Sequence, residues 1–326
     1  LNVDSDPILT VHHLKKYFTI KTGQIGRRVS TNIHSVEDIS FNIHRGETLG
    51  IVGESGCGKS TTARMIIRLL EPTSGEINFE GENLLEKSRH EMRKIRKDIQ
   101  MVFQDPFESL DPRMKISAIL EEPMKNFNLY NRKQRKQRVA DLLKEVGLSS
   151  AYADRYPNEF SGGQRQRIGI ARALASHPKL LIADEPVSAL DVSVQSQVLN
   201  LMKGLQKKLD LTYLFISHDL SVVKHFCDRI AVMYLGRIVE LSEAEQLFKH
   251  PRHPYTQSLI SAIPIPRPNT DKKRIILQGE VPDPSNPPEG CPFHTRCPVA
   301  MEICSKSLPE FINKGNEHFV ACHIAT

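Results

Sequence analysis

The stretch Gly53-Glu54-Ser55-Gly56-Cys57-Gly58-Lys59-Ser60 follows the apolar run Thr48-Leu49-Gly50-Ile51-Val52 and precedes the helix-favouring run Thr61 to Leu70. It matches G-x-x-x-x-G-K-[ST] in the strand, loop, helix order that a phosphate-binding loop requires. Glycines there let successive backbone N–H groups turn toward a polyphosphate, where a Cβ would obstruct. The positive end of the following helix dipole adds to the attraction. Lys59 is expected to reach the outer phosphates and Ser60 to place its hydroxyl on Mg²⁺. Gly53, Ser55, Gly56, Cys57, Gly58 and Thr61 complete the expected cradle.

Working outward, the 326 residues are enough for one large core plus a smaller domain, and 39% hydrophobic with 25% charged residues is an ordinary globular composition. A net charge of +6 is too diffuse to argue for nucleic-acid binding. No apolar run approaches the ~18 residues of a membrane span. The first twenty residues, with Asp4, Asp6, Lys15 and Lys16, lack a signal-peptide core, so the chain is expected in the cytoplasm unless a partner holds it at a membrane. The basic run Arg132 to Arg138 reads as a solvated helix surface, with anionic lipid as the alternative contact.

Short strands are predicted at Ile8 to Val11, Val36 to Ile43 and Thr48 to Val52, separated by a basic excursion, Lys21 to Asn32, that reads as a surface loop. A helical pattern from about Lys115 to Gly147, with Val139, Leu142, Leu143 and Val146 on one face, suggests an inserted subdomain that moves relative to the sheet. Helices are predicted at Gln164 to Ala175, Val192 to Leu209, Ser221 to Phe226, Glu243 to Phe248 and Tyr255 to Ala262. The runs Lys179 to Glu185 and Leu211 to Ser217 read as buried parallel strands, and Arg229 to Tyr234 and Arg237 to Leu241 as further strands. Such alternation implies an α/β sheet with ligands at the carboxyl ends of its strands. Beyond Ile263, prolines at 264, 266, 268, 282, 284, 287 and 288 make a core from apolar burial alone improbable.

Two carboxylates, Asp184 and Glu185, end the buried strand that starts at Lys179. Asp184 is the expected second Mg²⁺ anchor, directly or through water, and Glu185, which leaves the strand, is placed to polarise an attacking water.

Phe160-Ser161-Gly162-Gly163-Gln164-Arg165-Gln166-Arg167 closely resembles the L-S-G-G-Q signature of ATP-binding-cassette ATPases, with Phe for Leu. The resemblance implies that Ser161, Gly162, Gly163 and Gln164 face the γ-phosphate of ATP held by an opposite subunit, so that hydrolysis needs a head-to-tail pair. Gln104 resembles the hinge glutamine that senses Mg²⁺ and attacking water. Ser188-Ala189-Leu190-Asp191 resembles the loop that crosses the dimer interface, and His218 the switch histidine at the γ-phosphate. Phe18 matches the aromatic that stacks on adenine, worth on the order of 1 kcal/mol, with Tyr17 as the alternative. The implied fold is an α/β nucleotide-binding domain over 1–242, with an antiparallel β subdomain, a helical subdomain at about 106–165, and a small Pro/Cys-rich C-terminal domain over 243–326.

The resemblance extends further. Gly50 to Ser60, Gln104 to Arg113, His253 to Leu259, and the tail from Cys291 to His323 look like ATP-binding subunits of dipeptide and oligopeptide permeases. Departures from the pattern are the excursion at Lys21 to Asn32 and Phe160. The tail cysteines Cys291, Cys297, Cys304 and Cys322 contain no C-x-x-C pair, so the common zinc-ribbon spacing fails. Four thiolates suit a [4Fe–4S] cluster, which members of this permease family resemble, or a Cys₄ Zn²⁺ site in which His294 or His323 could replace a cysteine, with disulfides or free thiols as the remaining reading.

The expected function is therefore that of the ATP-hydrolysing subunit of a peptide importer, peripheral on the cytoplasmic face of the cell membrane. Expected partners are separate transmembrane permease subunits, a second cassette ATPase, identical or related, and indirectly an extracytoplasmic peptide-binding protein, with no nucleic acid. Import of nickel or another small solute, and a soluble cassette ATPase outside transport, are the rival readings.

Overall fold

The strongest apolar runs become buried strands, as their composition demands. In the computed structural model, which describes residues 6–22, 29–105, 109–264 and 275–325, Leu180–Asp184 is buried at all five positions. It pairs in parallel with Ile99–Val102 on one side and Thr212–Ser217 on the other. Every residue of Thr212–Ser217 is buried too, the pattern of a parallel sheet covered on both faces.

These strands belong to a unit built on Ile43–Thr48 and Glu86–Ile216. Its inserted helices are Ile116–Asn126 and Arg132–Glu145. The second begins where Asn131 accepts from the Lys133 and Gln134 N–H groups while Gln134 returns a side-chain acceptor to the Asn131 N–H, a reciprocal cap that satisfies donors the helix leaves open. Val139, Leu142, Leu143 and Val146 are buried. Arg132, Lys133, Lys136 and Gln137 face outward, and Arg138 pairs with Glu145 at 2.9 Å. The basic run is thus the solvated side of an amphipathic helix. Gly162–Leu174 and Val192–Leu209 are the other long helices of this unit.

The second unit is built on Leu9–Asn42, Leu49–Leu85 and Ser217–Thr326. One sheet has the order Val29–Ile43, Leu9–Thr22, Ser74–Phe79, Glu82–Asn83, with the last two pairings antiparallel. Its first two strands outrun the expectation: the excursion read as a loop is strand up to Thr22 and again from Val29, and 23–28 lie outside the described residues. Polarity misled the reading, since a hairpin arm exposed on both faces keeps its pairing without an apolar pattern. Thr19 Oγ1 donates to Asn32 Oδ1 across it at 2.9 Å. Pro106, Phe107, Glu108, Pro266, Arg267 and Pro268, quoted from the sequence, also lie outside the described residues.

In the same unit Leu49–Val52 runs parallel to Arg229–Tyr234, which pairs antiparallel with Arg237–Glu243. The tail then adds Phe319–Val320 against Glu240 and Leu241, and Ile312–Asn313 beyond. The tail has more apolar burial than its prolines suggest, because it borrows a core instead of building one. Phe293 is fully buried among Tyr234, Tyr255 and His253, with ring centroids 5.2, 5.4 and 5.6 Å away. Glu240, also buried, accepts from the Arg252 and His253 N–H groups and from His318 Nε2 at 2.6 Å. The helix Pro254–Ser261 starts where His253 Nδ1 accepts from the Tyr255 N–H. Complete burial holds His253 down to about 4, so it stays neutral and able to accept.

Candidate functional site

Between the buried strand Thr48–Val52 and the helix Lys59–Ile66, the phosphate loop takes backbone conformations that only glycine accepts comfortably. Gly53 has φ +155° and Gly58 φ +107°; a Cβ would drive into Met233 O at the first and Ser35 O at the second. Gly56, at φ +80°, has open space around it, and Ser55 beside it is exposed. Gly58 caps the helix in a left-handed conformation with no side-chain hydrogen bond, at the helix end where the dipole favours negative charge. Lys59, buried, donates from Nζ to Gly53 O at 2.8 Å and Glu54 O at 2.9 Å, so its ammonium lies inside the loop. Cys57 is buried and its thiol is pushed upward by that burial, a packing group instead of a nucleophile. Thr61 Oγ1 shares a hydrogen bond with Ser35 Oγ at 2.9 Å.

Asp184 ends its strand buried and paired opposite Ile216. At Glu185 the chain turns into the left-handed region, φ +47°, while its N–H still donates to Ile216 O at 3.0 Å. Glu185 thus lies just past the strand that Asp184 ends. Gln104, exposed just after Ile99–Val102, donates from Nε2 to Glu185 Oε2 at 3.0 Å. Gln104 and Glu185 are therefore in direct contact although 81 residues apart.

Ser161 caps Gly162–Leu174 by accepting from the Gln164 N–H, and Gln164 Oε1 accepts from the Ser161 N–H at 3.1 Å. Gly162 and Gly163 are the first two residues of this helix, where N–H groups lack intrahelical acceptors. Gly163 has a second reason to be glycine that the sequence did not reveal: a Cβ would run into the Val194 side chain of the neighbouring helix. Phe160 is buried with its ring edge-on to Tyr152 at 5.4 Å, so the Phe-for-Leu exchange is a packing change. Asp191 starts Val192–Leu209 exposed, with no cap bond from its side chain.

His218 is exposed just past the end of Thr212–Ser217. Of the two adenine candidates, Tyr17 packs against His34 at 4.4 Å, and burial with a Glu37 contact pushes its hydroxyl up to about 12. Phe18 is exposed, with Lys16 Nζ 5.1 Å from its ring centre.

The tail cysteines depart from expectation. Burial pushes the Cys291 thiol up to about 11, with smaller contributions from Cys304, Cys322 and Cys297, and the Cys291 N–H donates to Cys304 O at 2.8 Å. Yet among the described residues no three His, Cys, Asp or Glu side chains converge to hold a metal. His294 Nδ1 and His323 Nε2 are each engaged by a backbone carbonyl, Cys291 O and Ser307 O. Neither a [4Fe–4S] cluster nor a Cys₄ zinc site is supported by this donor set, since ligation needs converging thiolates.

Sequence reasoning missed the surroundings of Glu54. Its N–H donates to the Tyr255 hydroxyl at 2.9 Å, and its carboxylate takes both terminal nitrogens of Arg296, at 2.8 and 3.1 Å. No local motif announces a contact spanning 242 residues.

Comparison with known proteins agrees with this geometry. The ABC transporter family model matches residues 36–188, and the model of the oligopeptide/dipeptide transporter C-terminal region matches 239–304. The chain is 54% identical to the oligopeptide transport ATP-binding protein AppF of Bacillus subtilis over 98% of each. It is 51% identical to a probable peptide ABC transporter ATP-binding protein, y4tS, of Sinorhizobium fredii, over 98% of this chain and 90% of that one. Among solved structures, a dimeric post-hydrolysis state of the ATP-binding cassette MJ0796 bound to ADP and Pi superposes with TM-score 0.64 at 31% identity, covering 72% of this chain and 98% of that one. The cbiO1 protein of Clostridium perfringens gives 0.65 at 30% identity, over 76% and 92%. The chain belongs to the ABC transporter family of ATPases and carries the C-terminal region of its oligopeptide and dipeptide transporters.

Proposed function

We propose that this chain is the ATP-hydrolysing subunit that energises import of dipeptides or oligopeptides through separate membrane permease subunits. The observation that carries the reading is similarity to AppF over 98% of both chains, tail included. In this reading residues 1–242 form the nucleotide-binding domain, with a helical subdomain at about 106–165, and 243–326 the peptide-permease-type C-terminal domain.

In the proposed mechanism Mg²⁺ supplies charge neutralisation on the outer phosphates, with Ser60, Asp184 and Gln104 as its protein-side holders. Lys59 leaves the loop carbonyls for the phosphates. Glu185 accepts a proton from the attacking water, oriented by the Gln104 amide that already touches it. His218 meets the γ-phosphate and Phe18 stacks on adenine. Ser161, Gly162, Gly163, Gln164 and Asp191 serve the ATP of a second subunit, so two copies, or this chain and a related ATPase, work as a pair.

Among the described residues no helix is long and apolar enough to cross a membrane, which favours peripheral attachment to permease chains on the cytoplasmic face; an extracytoplasmic binding protein would deliver the peptide. The tail metal is a separate question. Among the described residues the placement of its cysteines assembles no ligand set. Iron, sulfide and zinc analysis of anaerobically purified chain decides it: about four iron and four sulfide per chain means a cluster, and none of the three means free thiols.

ATP turnover by the purified chain, with Lys59→Ala as control, tests the enzymatic part. Turnover unaffected by Lys59→Ala would contradict it.

A further inference from the structure

Residue 54 stands second in the phosphate loop, and it is fastened from three directions. Its carbonyl accepts from Lys59 Nζ at 2.9 Å, its N–H donates to the Tyr255 hydroxyl at 2.9 Å, and its carboxylate receives a two-pronged contact from Arg296. Arg296 is itself held. Its side chain is 9% exposed against 29% for Glu54, its N–H donates to Phe293 O at 3.0 Å, and its guanidinium carbon lies 5.9 Å from the Tyr234 ring centre. Phe293, three residues earlier, is buried against Tyr234 and Tyr255, so the tail enters this contact from an anchored position.

The loop has reason to need such a fastening. Gly53, Gly56 and Gly58 all lie at positive φ, and glycine backbone carries the largest conformational entropy to be lost on ordering. A loop that must present several N–H groups to phosphate at once binds more tightly if that cost is met before the ligand arrives. A paired arginine and carboxylate fixes direction as well as distance, because the fork accepts only one coplanar arrangement.

We infer that Arg296 is a positioning residue for the ATP site: by clamping Glu54 it preorganises the phosphate loop, and so makes the C-terminal tail part of the nucleotide-binding apparatus. The inference rests on the proposed ATPase reading. Arg296 touches no reacting atom, so its loss falls on nucleotide affinity more than on the chemical step.

The test is a double-mutant cycle in the full chain with Glu54→Ala, Arg296→Ala and the double variant. Equilibrium binding of a fluorescent ATP analogue with Mg²⁺, KM and kcat for ATP, and thermal unfolding are measured on the same samples. Each single variant is expected to weaken nucleotide binding about tenfold, as loss of a charge-assisted contact does, with most of the change in KM. The double variant should be no weaker than the singles. Arg296→Lys, which keeps the charge and the packed stem and loses the fork, should fall between wild type and Arg296→Ala and guards against a folding failure. Unchanged affinity in folded Arg296→Ala and Arg296→Lys, with only the unfolding temperature lowered, would overturn the inference, as would additive losses in the double variant. A wild-type chain that binds no nucleotide would overturn the ATPase reading along with it.

Discussion

Glu185 sits in a left-handed backbone conformation at φ +47°, a position that costs a non-glycine residue about 1 kcal/mol. The geometry gives that cost a use: just past the strand end, the carboxylate meets the Gln104 amide. Replacing Glu185 by Gln preserves shape and removes the base, so ATP should still bind while turnover falls on the order of 10²-fold or more. Single-turnover hydrolysis with equilibrium binding measures both, and near-normal turnover would remove Glu185 from its assigned role. Glycine positions in the phosphate loop were legible because the motif fixes their spacing. The pairing of Glu54 with Arg296 was not, because a contact formed by folding leaves no trace in either residue's neighbours.

Elements carry two further predictions. Gly163→Ala should force Gly162–Leu174 away from Val192–Leu209, at roughly 1–3 kcal/mol, and Val194→Ala in the same chain should recover part of the loss. Paired thermal melts show this directly, and independent, additive effects would mean the helices do not meet as described. His253 offers a pH test. Its folded pKa, about 4, is below the ordinary 6.5, so between those values the unfolded chain binds the extra proton and stability falls as pH drops. From pH 7 to pH 4.5 the loss should approach ~2–3 kcal/mol. His253→Asn keeps a cap acceptor for the Tyr255 N–H and should flatten that dependence; an unaltered pH profile would contradict the buried neutral histidine. The long helices were legible here because their apolar period and caps agree, as in Arg132–Glu145 with its Asn131 start. Polar hairpin arms beyond Val11 were not, since pairing without burial imposes no alternation.

For the molecule as a whole, the order of motifs and the full-length match to peptide-transport relatives point to one use of ATP. What the tail contributes was the least legible part. Its prolines and cysteines describe a segment unable to fold by its own apolar content, but not the rings at Tyr234, His253 and Tyr255 that receive Phe293. Phe293→Ala should cost about 3–5 kcal/mol and, if the tail steadies the phosphate loop, weaken ATP binding in the fraction that remains folded; melts and binding on the same sample check it. The most direct test of the central claim is uptake of a labelled oligopeptide by cells of the source strain lacking the chromosomal copy of this chain. Wild-type chain should restore uptake and Glu185→Gln, produced at the same level, should not. Equal uptake with both, or with neither chain supplied, would contradict a role in powering peptide import.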